Sequence, residues 1–243
     1  MKSIFFFFSL LSSLSIFSKD RPNIVFIFAD DWGWGDLGCH GPPYLKSPNI
    51  DRLAKEGTDF HRFSVASGVC SPSRTAVMTG HFPARYNIDG HFAWVPSNQK
   101  RNMPDWLDPK APLLPRFLKQ SGYATAHFGK WHLGTLNKEI SAKGEKRKPA
   151  ENYAPPWEHN YDESFVTESA VSTYNPSVGK RYYNNPYYHN QVVANENLNG
   201  DDSKVIMDRV VPFIVKAVKN KQPFLSVIWF HTPHEPVRGA VEY

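Results

Sequence analysis

The sequence predicts an α/β protein: a mainly parallel sheet flanked by helices. Three observations carry that expectation. Residues 23 to 29 (NIVFIFA) are a continuous apolar run that breaks at once into DDWGWGDLG, the pattern of a strand buried on both faces and ending in a polar loop. Helix-like segments then alternate with short apolar, strand-like ones along the chain, as parallel sheets require. Finally, the residues just past the inferred strands are those able to do chemistry, and ligands of parallel sheets bind beyond the strands' carboxyl ends.

The elements follow in order. After the first strand, SPNIDRLAKEG at 47 to 57 has a cap residue, Pro48 in a first-turn position and a closing glycine, so it reads as a short helix. A strand is expected next, near Thr58 to Val65. In GVCSPSRTAVMTG, Ser71 suits a cap, Pro72 the first helical position and Gly80 the end, which puts Cys70 just ahead of a helix N-terminus. Leu113 to Gln120 reads as a helix closed by Gly122 and leading into the strand YATAHF at 123 to 128. Asp202 to Asn220 sets Ile206, Val210, Phe213, Ile214 and Ala217 on one helical face, with a kink expected at Pro212, and precedes the strand PFLSVIWF at 223 to 230. Between Gly134 and Gly200 the chain turns basic (KGEKRK at 143 to 148) and then rich in Tyr, Asn and Pro. This segment reads as a solvated loop insertion over the sheet's edge, its tyrosines available to a substrate.

Composition narrows the function classes. The 243 residues are 41% apolar, 14% aromatic and 21% charged, which excludes disorder and fibrous repeats. Lys plus Arg is 28 against 23 for Asp plus Glu, a net +5 not gathered into a stripe, so nucleic acid is not an expected partner. Cys39 and Cys70 are too few for a disulfide framework. At the N-terminus, Lys2 precedes the apolar run Ile4 to Phe17, which ends at Ser18 before Lys19, Asp20 and Arg21, the layout of a secretory signal peptide over residues 1 to 18. A membrane anchor is the rival reading, but 14 residues with interspersed serines fall short of the ~20 a spanning helix needs. Residues 19 to 243 are then the mature chain, secreted or periplasmic, or on the lysosomal route in a eukaryote, with no stable membrane span. No Asn-x-Ser/Thr acceptor has a permitted middle residue, since Asn175 precedes Pro176.

Cys70 stands where unsatisfied N–H groups and the helix dipole favour an anion, and Arg74 in the first turn adds a planar charge suited to an oxyanion. A buried core cysteine is the plain alternative. A thiolate phosphatase is another, although its phosphate loop needs a longer Cys-to-Arg spacing than the three residues here. Asp30 and Asp31 end the first strand, Lys130 and His132 follow the strand at 123, and His231 and His234 follow the last. Together they describe one polar site. His231 and His234 could instead be a zinc pair, but their spacing falls in a proline-containing loop and no HExxH motif is present.

The run C-S-P-S-R at 70 to 74, continuing T-A-V-M-T-G, resembles the signature of type I sulfatases of the alkaline phosphatase superfamily. FADDWGWGDLGCHG at 28 to 41, GYATAHFGKWHLG at 122 to 134 and HTPHEP at 231 to 236 agree with the family in order. The resemblance implies that a formylglycine-generating enzyme converts Cys70 to formylglycine, whose hydrated aldehyde attacks the sulfur of a sulfate ester and later expels sulfate. It implies that Asp30, Asp31 and residue 70 bind a divalent cation, Ca²⁺ foremost with Mg²⁺ possible. Arg74 and Lys130 would stabilise charge on formylglycine and sulfate, and His132 would position or deprotonate the gem-diol. His234, in the H-x-P register, would protonate the leaving oxygen, with Lys130 also contacting substrate.

Two departures from the family pattern stand out. His81 follows Thr79 and Gly80 where the family usually has arginine. Ca²⁺ takes about six to eight oxygens, so two aspartates and formylglycine leave its site incomplete. The expectation is therefore a C-terminally truncated catalytic domain, inactive alone, with further ligands downstream of Tyr243. Two alternatives remain: a phosphomonoester or phosphonate monoester hydrolase of the same superfamily, and a non-catalytic sulfate-binding fragment. A carbohydrate sulfate is the preferred substrate class, because aromatic faces suit sugar rings.

Overall fold

The computed structural model describes residues 21–178 and 184–240; the expected signal peptide at 1 to 18 lies outside the described residues. A six-stranded sheet organises the chain, in the order β1 (Ile24–Asp30), β6 (Phe224–Pro233), β2 (Ala124–Lys130), β3 (Glu163–Thr167), β4 (Tyr188–His189), β5 (Val192–Val193). The first four are mutually parallel, with Ile24 opposite Leu225, Ala124 opposite Phe224 and Ala126 opposite Glu163. Strands β4 and β5 add an antiparallel hairpin at the far edge.

The two faces of β6 illustrate why the sheet is covered on both sides. Leu225, Val227 and Trp229 point into one core with Trp131 and with Met78 of α2 (Cys70–Thr79), while Leu114 and Leu118 of α4 (Leu114–Gln120) pack against it. Phe224 and Ile228 point the other way, under Ile206, Val210, Phe213 and Ala217 of α5 (Asp202–Lys219). Period-two alternation in the strand thus meets helical stripes on both sides. Helix α5 runs unbroken through Pro212. Two shorter helices, α1 (Pro48–Glu56) and α3 (Val95–Lys100), flank these layers.

Several expectations need correction. Strand β1 is an edge strand: Ile24, Phe26 and Phe28 pack inward, but Val25 and Ile27 are about half exposed, because α5 packs mainly over β2 and β6. Residues Thr58 to Val65 are not a strand. No neighbouring backbone offers them a ladder among the described residues, and Phe60, Phe63 and Val65 are exposed. The stretch 134 to 200 is not a solvated loop insertion; it supplies β3, β4 and β5 and buries Tyr161, Phe165, Val166, Tyr187 and Leu198. Several of its polar residues are buried with partners: His159 lies between the carbonyls of Pro155 and Leu107, and Arg147 donates to that of Ala93. Polar composition alone does not distinguish satisfied interior groups from solvated ones.

Two positions set limits on sequence change. Gly129 in β2 has φ +95°, and a Cβ there would fall against the Trp229 carbonyl of the adjacent strand. Gly129→Ala should therefore destabilise the fold by at least about 2 kcal/mol in urea titrations. His127 is wedged edge-on among Trp131, Tyr161 and Trp229. Burial pushes its pKa from 6.5 down to about 3, and that of His159 to about 4. Unfolding lets both take up protons, so their contribution is intact above pH 6.5 and is lost as the pH falls towards those lower values. Unfolding free energy should drop between pH 6.5 and 4.5 by up to about 1.4 kcal/mol per pH unit per histidine, and His127→Phe should flatten that slope.

Candidate active site

Four sequence-distant elements meet at the carboxyl end of the parallel strands. Asp30 is the last residue of β1, Lys130 the last of β2, and His234 the first residue past β6. Cys70 is the first residue of α2, whose N-cap is Val69 rather than Ser71. The Ser71 hydroxyl is spent elsewhere: it donates to the His132 carbonyl (2.9 Å) and accepts from the Phe92 amide (3.0 Å). Those bonds join the start of α2 to the turn beyond β2. Gly80, with φ +68°, ends the helix as expected.

The centre of the site is a buried ionic knot. Asp30 Oδ1 accepts from Arg74 at 3.1 Å and Oδ2 from Lys130 Nζ at 2.5 Å, with all three side chains at most 4% exposed. Burial alone would raise the Asp30 pKa, but Arg74 and Lys130 outweigh it and hold the carboxyl down to about 2. Lys130 Nζ also lies 3.4 Å from Cys70 Sγ. Arg74 departs from its expected role. Its guanidinium donates to Asp30 and to the Lys130 carbonyl (3.1 Å) and lies over the Trp229 ring at 4.6 Å, so it braces the site from inside the protein instead of lining the cleft.

Around Cys70 the surface opens into two clefts of about 270 Å³ each. One is lined by Asp30, Asp31, Trp32, Val65, Gly68 and Cys70. The other brings together Cys70, His91, Lys130, His132, Asn185 and His234. His132, with φ +56°, is held by its amide's bond to the Glu168 carbonyl, and both its ring nitrogens are buried without a hydrogen-bond partner among the described residues. Burial, then the positive charges of Lys130 and Arg74, push its pKa well below 6.5, which favours the neutral ring. Ligand atoms of Asp30, Cys70 and His234 lie within 4.8 Å of one another, and Asp31 is 3.7 Å from His234 Nε2. Asp30 and Asp31 both line the first cleft, and their carboxylate oxygens are a donor chemistry that fits Ca²⁺ or Mg²⁺.

His231 is a structural group. Its Nδ1 meets Asp202 at 2.7 Å and its Nε2 meets Thr167 at 2.8 Å, all fully buried, which leaves no nitrogen for a zinc pair with His234. His81 bonds Tyr86 and Arg85 at the far end of α2 and does not reach the cleft. Two cleft residues had no sequence signal. His91 sits in a loop outside every recognisable motif, 6.3 Å ring to ring from His132. Asn185 belongs to the stretch read as an insertion, where it exchanges hydrogen bonds with the Ser169 backbone.

Comparison with known proteins bears on this arrangement. Over 118 residues the chain is 46% identical to N-acetylgalactosamine-6-sulfatase of Sus scrofa, a match covering 46% of this chain and 22% of that protein. It is 42% identical over 118 residues to steryl-sulfatase of Mus musculus, covering 46% and 18%. Among solved structures, that of Ps i-CgsB has a TM-score of 0.69 at 27% identity, covering 89% of this chain and 46% of that one. Its complex with k-i-k-neocarrahexaose has a TM-score of 0.67 at 27% identity. The chain therefore spans less than a quarter of these curated relatives and just under half of the solved chain. The Sulfatase family model matches residues 22–243, and on that match, which takes in all four elements of the cleft, the chain belongs to the sulfatase family.

Proposed function

We propose that this chain is the nucleophile-bearing part of a sulfuric ester hydrolase that cleaves carbohydrate sulfates. One observation carries the reading: Cys70, at the first turn of α2, shares a cleft with Lys130, His132 and His234, all drawn from the ends of parallel strands. Formylglycine, made from Cys70 by a formylglycine-generating enzyme, would supply there a hydrated aldehyde with one hydroxyl to attack sulfur and a second to release sulfate. A bound Ca²⁺ or Mg²⁺, held by Asp30 and Asp31 beside residue 70, would polarise the sulfate oxygens.

The chain's own residues divide the remaining work. Lys130 Nζ, 3.4 Å from Sγ, offsets negative charge developing on the group at position 70 and on the sulfate. His132, with both ring nitrogens unpartnered at the cleft among the described residues, would position the gem-diol at residue 70 or take a proton from it. His234, partly open to the cleft, donates a proton to the leaving oxygen. Arg74 acts through Asp30 and the Lys130 backbone, as a positioning residue. The sugar preference is supported by the name of the Sus scrofa relative and by the neocarrahexaose complex of a 27% identical neighbour. Residues 1 to 18 are proposed as a cleaved signal peptide, giving a secreted or periplasmic protein. In keeping with this, no helix among the described residues is long and apolar enough to cross a membrane.

Two experiments test this. After coexpression with a formylglycine-generating enzyme, the peptide containing Cys70 should show the mass change of thiol to aldehyde, and a matured full-length protein containing this chain should hydrolyse an aryl sulfate in preference to an aryl phosphate. An unmodified thiol supports a non-catalytic sulfate binder, and a preference for the phosphate supports a phosphoester hydrolase. His234→Ala should lower kcat by about a hundredfold or more on a sugar sulfate, whose alkoxide leaves poorly. The same change should cost much less on a nitrophenyl sulfate, which needs little protonation. Equal losses on both would remove His234 from the acid role.

A further inference from the structure

A second cluster of metal-ligating side chains lies outside the machinery described above. His40 Nε2 is 2.8 Å from Asp59 Oδ2, and His61 Nε2 is 3.6 Å from the same oxygen. All three ligand atoms fall within 4.8 Å of one another. A tetrahedral ion with bonds of about 2.0–2.1 Å sets its ligand atoms roughly 3.3 Å apart, and the two observed distances bracket that value. Trp34 stacks on His40, with ring centroids 4.0 Å apart and planes within 6°, and also contacts His61 at 5.9 Å, which fixes the orientation of the imidazoles. We propose that His40, Asp59 and His61 form a distinct cation site for a borderline transition-metal ion, Zn²⁺ foremost, with water completing the coordination.

The donor set selects the metal. Two imidazole nitrogens and one carboxylate suit Zn²⁺, Cu²⁺ or Ni²⁺, whereas Ca²⁺ and Mg²⁺ demand mostly oxygen. The ion would take the place of the proton that now bridges His40 and Asp59.

One half of the site is already rigid. His40 sits on a turn where its own amide and that of Gly41 donate to the Leu37 carbonyl, and where Gly38 and Cys39 donate to Ser47 Oγ and Asp51 Oδ1. The other half, from Asp59 to His61, belongs to the exposed segment that lacks a ladder. Both loops run on into the walls of the cleft beside Cys70: Trp32 lies two residues before Trp34, and Val65 four residues after His61. A bound ion would therefore clip one cleft wall to the other, at a distance from the reacting atoms.

The test is Zn²⁺ titration by calorimetry on the 243-residue chain carrying Cys70→Ala, which removes the sulfur from the Asp30, Cys70 and His234 cluster. One ion should bind. His61→Ala and His40→Gln should each weaken binding at least tenfold, and Cys39→Ser should leave it unchanged. Because the His61 side chain is 71% exposed, its removal spares the fold, which circular dichroism can verify. An excess of Ca²⁺ should not displace the Zn²⁺. Binding that survives His61→Ala, that disappears with Cys39→Ser, or that is absent at millimolar Zn²⁺ would overturn the proposal.

Discussion

The carboxylate of Asp30 is the constraint on which the site depends. It ends the edge strand β1, yet each of its oxygens is fastened to a different element: one to Arg74 on α2, the other to Lys130 at the end of β2. Three buried ionic groups of which one is negative are stable only as a set, and losing one partner of such a pair typically costs about 3–5 kcal/mol. The knot also fixes geometry. The Arg74 guanidinium reaches the Lys130 carbonyl as well, and Lys130 Nζ is delivered to Cys70 Sγ. Asp30 and Lys130, which line the clefts, are therefore aimed by Arg74, which does not.

Much of this arrangement was legible in the sequence because the strands that build it end abruptly. In β1, β2 and β6 an apolar run stops at a charged residue or a histidine, and the parallel-sheet rule then gathers Asp30, Lys130 and His234 at one end. The first turn of α2 was marked by Cys70, Pro72 and Arg74 together. What composition hid was burial of polar residues: Arg147, Asn152, His159 and Asn185 look like surface groups until their partners are known. The same blindness hid the part of Arg74, since an arginine beside a cysteine reads as an anion binder whether its side chain turns towards the cleft or away from it.

The strand expected at Thr58 to Val65 failed for the opposite reason. Phe60, Phe63 and Val65 have the intrinsic preference for extended structure, but a strand exists only with a neighbour to bond, and among the described residues this segment pairs with none, the outer edge of β1 included. The segment is consequently held by side chains at a few points, His40 with Asp59 among them. By contrast, the supposed insertion after Gly134 found neighbours at β2 and became sheet.

The Ser71 hydroxyl, locked between the His132 carbonyl and the Phe92 amide, has a bearing on timing. In the folded chain Ser71, Pro72, Ser73 and Arg74 are all buried, so a partner enzyme that must read this pentapeptide cannot grip it once α2 has docked. Any chemistry performed on Cys70 through recognition of those neighbours has to finish while the segment is still extended. If formylglycine is made at position 70 as proposed, maturation and folding would compete in time, and a chain that folds too quickly would be left with an ordinary thiol there.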